Sequence, residues 1–244
     1  MLTAWTPTER VLVIDRLEFR GDVSVPNAGA WKKFLSWLDR KPTWTTVAGR
    51  RLPLFAIAVD AGAVATTVYR MKAPIGSIIG HHRIKLVKGA GRNSVNTPVA
   101  TGKPGRGHVD SKRFVPLYTV GTHQAKKTLI NRMNEKDIIQ YDPTLEPEVF
   151  KELAAEHMIR KKGGAEKFEQ TRQRNEALDC LVYALALIKI MKPKWLKQDE
   201  LEPKKADPKP ETVKEDETKI ELTVRPEKQE KPEPKQRYTT VWGV

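Results

Sequence analysis

The chain has 244 residues, with 44 Lys+Arg against 30 Asp+Glu, a formal net charge of +14 and 39% hydrophobic residues. That length holds one large domain or two small ones, and so basic a balance points to a polyanionic partner, nucleic acid being the commonest. The single cysteine, Cys180, excludes an intramolecular disulfide, and no apolar run approaches the ~20 residues of a membrane span.

The charge is unevenly spread. Residues 197–237 hold 11 basic and 12 acidic residues, a net of −1, so the remainder carries +15. With no secretory apolar core at the N-terminus, the expectation is a soluble intracellular protein with no membrane partner.

In chain order, Met1 to Pro7 reads as turn-like. Val11 to Phe19 is rich in branched residues and ends at Gly21-Asp22, which predicts a strand and a turn. Ala30 to Arg40 sets Trp31, Phe34, Leu35 and Leu38 on one helical face, and those aromatics read as core. Pro42 to Leu52 is a polar, basic connection. Leu54 to Asp60 is an almost continuous apolar run stopped by an acid and Ala61-Gly62, the pattern of a strand buried on both faces. Thr66 to Met71 reads as helix and Arg83 to Val87 as strand. Phe114 to Val120 predicts a strand, Thr122 to Met133 a helix with a Thr cap, and Ile138 to Tyr141 a short strand. Glu146 to Lys162 reads as a helix broken at Gly163-Gly164. The alternation predicts an α/β fold over residues 1–196.

Lys88 to Arg113 is the least regular part of this body. It combines Gly89, Gly91, Gly102, Gly105 and Gly107 with Lys88, Arg92, Lys103, Arg106, Lys112 and Arg113, against one acid, Asp110. Glycines permit close approach to a partner and the cations neutralise phosphates, so these are candidate DNA-binding residues; the bland alternative is a solvated insertion. GAGRNS is not followed by Gly-Lys-Ser/Thr, which argues against an ATP site. Residues 197–237, with six prolines and alternating charge blocks, read as a disordered linker. The last segment, 238–244, regains apolar character through Tyr238, Val241 and Trp242.

Arg172 to Met191 has neither proline nor glycine, and Leu178, Leu181, Val182, Leu185 and Ile188 recur at helical spacing. Its first turns carry Asn175, Glu176 and Asp179. A carboxylate on so apolar a helix needs compensation: either Arg172 or Arg174 pairs with Asp179, or the acid faces a divalent metal. Asp60, at the end of a buried strand, lies where ligands of α/β sheets gather. If the helix packs across that sheet, Asp60 and Asp179 converge, and converging acids on a basic protein suit Mg²⁺ or Mn²⁺ and phosphodiester hydrolysis.

RRLPLFAIAVDAG, TTVYRM, KLVKG, YTVGTHQAKKTLINRM and above all RNEALDCLVYALALIKI resemble the nuclease part of the large terminase subunit of tailed phages, in its lambda-like branch. The similarity runs from about Ala4 to Trp195. It implies an RNase H-like mixed sheet with flanking helices, and a two-metal endonuclease that cuts concatemeric DNA during packaging in the host cytoplasm. Carried over, Asp60 and Asp179 match metal-binding acids, Glu176 and Asn175 belong to the same motif, and Lys88 matches a lysine facing the phosphate. The implied partners are double-stranded DNA, the terminase ATPase part, the small subunit, and the portal protein through residues 238–244.

Two features depart from the family pattern. No Walker motif is present, and LTAWTP aligns with the end of the family's second nuclease strand, so its first metal-binding aspartate has no counterpart; Asp15 is no substitute by position. A split gene, an incorrectly chosen start and a decaying remnant all fit, and the alternative function is a basic DNA-binding protein that kept the fold without the chemistry.

Overall fold

The computed structural model describes residues 1–46, 49–90, 96–110, 112–160, 163–164 and 166–195. Arg92, the linker at 197–237 and the peptide at 238–244 lie outside the described residues.

The N-terminal segment, expected as a turn, is strand β1 (Leu2–Trp5), paired antiparallel with β2 (Val11–Asp15). β2 stops short of the expected Phe19. Asp15 Oδ1 accepts the Arg16 N–H at 2.6 Å, and the Arg16 guanidinium turns to Glu18 at 2.7 Å, which draws the chain off the ladder. Helix α1 (Gly29–Asp39) buries Ala30 and Leu38. The expected connection at Pro42 to Leu52 contains a hairpin, β3 (Thr43–Thr45) with β4 (Arg51–Pro53). β5 (Ile57–Asp60) is shorter than its apolar run and half-buried along its length, because it lies at a sheet edge and not inside the sheet. Helix α2 (Ala65–Ile79) runs well past Met71 and through Pro74.

After a 3₁₀ turn at His81–Arg83 comes β6 (Ile84–Gly89). The irregular glycine-rich stretch contains β7 (Gly105–His108), antiparallel to β8 (Phe114–Val120). Helix α3 (Thr122–Met133) has the expected bounds, but its cap position is Gly121 and the expected Thr cap bond is not made. β9 (Ile139–Tyr141) runs parallel to β2. The helix expected over Glu146 to Lys162 divides in two. α4 (Pro147–Leu153) ends early, and β10 (Glu156–Arg160) pairs antiparallel with β11 (Glu166–Gln170). Gly163 and Gly164, at φ 104° and 86°, make the turn between them in a region where side-chain-bearing residues are strained. Helix α5 (Glu176–Met191) closes the described chain.

The fold is thus mixed α/β. Among the described residues the two larger sheets are β1-β2-β9 and β5-β6-β8-β7, the latter parallel across β5, β6 and β8. Side chains alternate between the faces of a strand, and β6 shows it. Val87 joins the core formed with Val120, Leu129, Leu181 and Leu185, on the side of α3 and α5. Ile84 and Leu86 join the opposite core of Leu38, Val68, Met71 and Ile75, on the side of α1 and α2. Helices therefore lie over both faces of β6, where Ile84, Leu86 and Val87 are buried. No helix among the described residues is long and apolar enough to cross a membrane.

Candidate metal centre and nucleic-acid interface

Asp179 lies near enough to Asp60 for its charge to act on that carboxyl, and Tyr183 feels the charge of both. Asp60 is the last residue of β5, and Asp179 lies in the first turn of α5, whose partial positive charge at the N-terminus favours nearby acids. The Asp60 Oδ1 accepts the Gly62 N–H at 3.0 Å, and the Tyr183 hydroxyl donates to the same carboxylate. Burial, together with the Asp179 charge, holds the Asp60 carboxyl above the usual aspartate range despite those hydrogen bonds. Tyr183 also takes the Gly89 backbone N–H, so it ties β5, β6 and α5 together at this corner, and burial raises its own phenol.

Asp179 does not pair with Arg172 or Arg174. Its partner is Lys126 of α3, with Nζ at 2.9 Å from Asp179 Oδ1 and 2.6 Å from Glu156 Oε1. Asn175 completes the cluster, donating to Glu156 Oε1 at 2.6 Å and more weakly to Asp179 Oδ2 at 3.4 Å. Burial raises the Asp179 carboxyl; Lys126 pulls it down, and the neighbouring charges of Glu156 and Glu176 push it up again. Lys126 is held above its ordinary range by Asp179 and Glu156, which together outweigh its desolvation. Its ammonium is therefore a fixed positive charge between two acids. With 41% of its side chain exposed, Asp179 keeps a free approach from solvent.

Glu176 turns away from this pair and meets the Arg174 guanidinium at 3.3 Å. Below it lies Glu152 of α4, fully buried. Glu152 Oε2 accepts the Ala177 N–H at 3.1 Å, Arg16 Nη1 stands 3.0 Å from its other oxygen, and Arg174 Nε stands at 3.6 Å. A side chain from another helix thus satisfies a free amide at the start of α5 and fixes where Asp179 projects.

The expected phosphate-binding cations divide into two places. Lys88 is exposed near the end of β6, one residue beyond the partner of Asp60. Lys103, Arg106, Lys112 and Arg113 are exposed around β7, at the opposite edge of the same sheet. Three strand spacings separate that edge from β5, about 14 Å. Arg106 lies over the Phe114 ring at 5.4 Å, and Arg113 pairs with Asp110 at 2.5 Å.

Sequence reasoning missed Lys126, Glu156, Glu152 and Tyr183. Tyr183 had a signal, since it follows Asp179 by four residues on one helical face. Glu156 and Glu152 had none, because both fell inside a segment read as one long helix. No group of three or more His, Cys, Asp or Glu side chains positioned to hold a metal occurs among the described residues. The donors present fit one hydrated divalent cation, since Mg²⁺ is commonly held by one or two carboxylates plus waters; a second cation needs another ligand.

Comparison with known proteins gives the family of the chain. The family described as "Terminase large subunit gpA, endonuclease domain" matches residues 1–200. The chain is 25% identical over 206 residues to the terminase large subunit of Enterobacteria phage P21, covering 78% of this chain and 30% of that protein. It is 28% identical over 169 residues to the terminase large subunit of Escherichia phage lambda, covering 63% of this chain and 25% of that protein. It therefore spans less than a third of the length of either relative. No solved structure matches. The match over most of its length places the chain in the endonuclease-domain family of the terminase large subunit gpA.

Proposed function

We propose that the chain is the nuclease part of a phage DNA-packaging terminase, which cuts concatemeric double-stranded DNA using Mg²⁺ or Mn²⁺ at Asp60 and Asp179. The observation that carries this reading is the proximity of those two acids at the C-terminal end of β5 and the N-terminal turn of α5, where the Asp179 charge acts on Asp60. A divalent cation held there supplies an activated water and charge neutralisation at a phosphodiester. The chain's own groups have separable roles. Asp60 is aimed by Gly62 and Tyr183, and Asp179 is aimed by Asn175 and by the Glu152 contact under the helix. Lys126 limits the negative charge that the acids present to DNA, and Lys88 offers a cation beside the phosphate. The cations around β7 extend the positive surface along the sheet, a reach that suits a duplex carrying a phosphate every few ångströms. Glu176, paired with Arg174, serves this reading as a neighbouring charge and not as a ligand. An RNase H-like arrangement is supported by the parallel β5-β6-β8 core with helices on both faces.

The ATPase part, the small subunit and the portal are the partners such a reading calls for. A second reading, a DNA-binding protein without catalysis, draws on the Lys126 ammonium, which already pairs with Asp179 and Glu156, and on the lack, among the described residues, of three acids grouped to hold a metal. Supercoiled plasmid separates the two. The chain is incubated with Mn²⁺, alone and with an ATPase-bearing terminase partner, beside Asp60→Asn and Asp179→Asn. Nicking that needs Mn²⁺ and disappears in both variants supports the nuclease. Absence of cleavage under every condition, with DNA still bound, favours the second reading.

A further inference from the structure

One face of the β7–β8 hairpin carries rings and cations that the metal centre does not use. The Val109 N–H donates to the Arg113 carbonyl at 2.9 Å and closes the turn. In an antiparallel ladder, hydrogen-bonded pairs alternate with closer, unbonded ones. His108 and Phe114 therefore form a close pair, as do Arg106 and Pro116. The His108 and Phe114 rings meet edge to face at 4.7 Å, and the Arg106 guanidinium lies over the Phe114 ring at 5.4 Å.

Alternation along β8 decides which way these groups face. Val115 and Leu117 pack into the core on the side of α1 and α2, while Tyr118 and Val120 pack on the side of α3 and α5. Phe114 and Pro116 share the second face but are exposed, so the helices of that side stop short of them. Phe114 is 45% exposed even with both neighbours in place. The opposite face of the hairpin is closed, since a Cβ at Gly107 would come 2.8 Å from the Tyr69 ring of α2.

Phe114, Pro116 and Tyr118 make a stripe about 13 Å long at 3.3 Å per residue. Lys85 of β6 lies over the Tyr118 ring at 5.8 Å, so each end of the stripe pairs a ring with a cation. Lys72 acts on Lys85 as a like charge, and Lys103, Lys112 and Arg113 are exposed around the other end. Asp110 is already engaged by the Lys112 and Arg113 N–H groups and by the Arg113 guanidinium. Because β5, β6 and β8 are parallel, the stripe leads along β8 toward the sheet end that holds Asp60.

We propose that this stripe binds single-stranded DNA, with an unpaired base stacked on Phe114 and the adjoining phosphates met by Arg106 and its neighbouring cations. A duplex does not offer this contact, because each base there has its faces covered by the next. Exposed rings set among cations hold single strands with little regard to sequence, every base having a face to stack. The inference deepens the proposed function by giving a strand parted from its complement a path toward the acids. It rests on the nucleic-acid part of that reading and not on the metal.

The test therefore needs no metal. Fluorescence anisotropy compares binding of the full chain to a labelled oligothymidylate, to an abasic strand with the same number of phosphates, and to a duplex of equal length. The oligothymidylate is expected to bind about tenfold more tightly than the abasic strand. Phe114→Ala should abolish that difference without changing the salt slope, and Phe114→Trp should restore it. Arg106→Gln should instead weaken binding to both single strands and make their salt slopes shallower by about 0.7. Circular dichroism checks that the variants fold, and the comparison of the two strands on the unaltered chain stands without them. Equal affinity for both single strands overturns the stacking role while leaving duplex binding intact. A preference for oligothymidylate that survives Phe114→Ala places the stacking elsewhere and overturns the assignment. Binding to none of the three overturns both the stripe and the nucleic-acid reading beneath it.

Discussion

Replacing Glu152 by alanine removes the group on which the position of α5 depends. The Glu152 side chain is wholly buried, accepts the Ala177 N–H at 3.1 Å, and faces Arg16 at 3.0 Å and Arg174 at 3.6 Å. Truncation leaves a helix-start amide unpaired and strands Arg16, whose side chain is only 11% exposed. Breaking a buried pair by removing one partner costs about 3–5 kcal/mol. Arg16 keeps Glu18 at 2.7 Å, so the lower end, about 3 kcal/mol, is the figure to expect here. For a domain of this size each kcal/mol moves Tm by about 2–4 °C, so the variant should melt about 6–12 °C lower. Thermal unfolding followed by circular dichroism reads this directly, with Glu148→Ala as the comparison, because its bridges to Lys151 and Arg172 are exposed and worth little. If Glu152→Ala melts within a degree or so of Glu148→Ala, Glu152 does not hold the helix and the account of how Asp179 is aimed is wrong.

Asp60→Asn should raise Tm in metal-free buffer near neutral pH. The folded-state pKa of Asp60 is raised, so its ionisation opposes folding; the penalty is full above the folded pKa and disappears once pH falls below the ordinary aspartate value of about 3.9. Melting curves across that range should show the gain of Asp60→Asn shrinking toward acid pH, and a gain that grows toward acid would reverse the sign argued here. Neutralising Arg92, Lys103, Arg106, Lys112 and Arg113 together should weaken duplex binding alike for unrelated sequences. The salt slope should become shallower by up to about 4.5, about 0.9 for each of the five lost phosphate contacts, and unchanged affinity would leave those cations as solvated surface.

Local patterns were the most legible. α3 and β8 have the bounds read from composition, because their ends coincide with changes of periodicity at Gly121 and at the basic loop. α5 was legible from its apolar stripe, though its first four expected residues lie outside the helix, where Arg172 and Arg174 pair with Glu148 and Glu18. The β10–β11 hairpin was not legible, since Glu156 to Arg160 carries too little apolar alternation to distinguish a two-stranded ribbon from a continuing helix. Leu54 to Asp60 read as a strand covered on both faces, which its composition justifies; its edge position follows from long-range pairing that no local window contains. Asp60 and Asp179 were both singled out from placement and resemblance. The ammonium between Asp179 and Glu156 required three separate segments to meet, and the sequence holds no record of that meeting.

The most direct test of the central claim is an anomalous-scattering map from a crystal of the chain soaked in MnCl₂. The account predicts a Mn²⁺ ion bonded at about 2 Å to carboxylate oxygens of both Asp60 and Asp179, with water completing its shell. A map with Mn²⁺ at other acids and none at this pair, Lys126 still closed on Asp179, would contradict it.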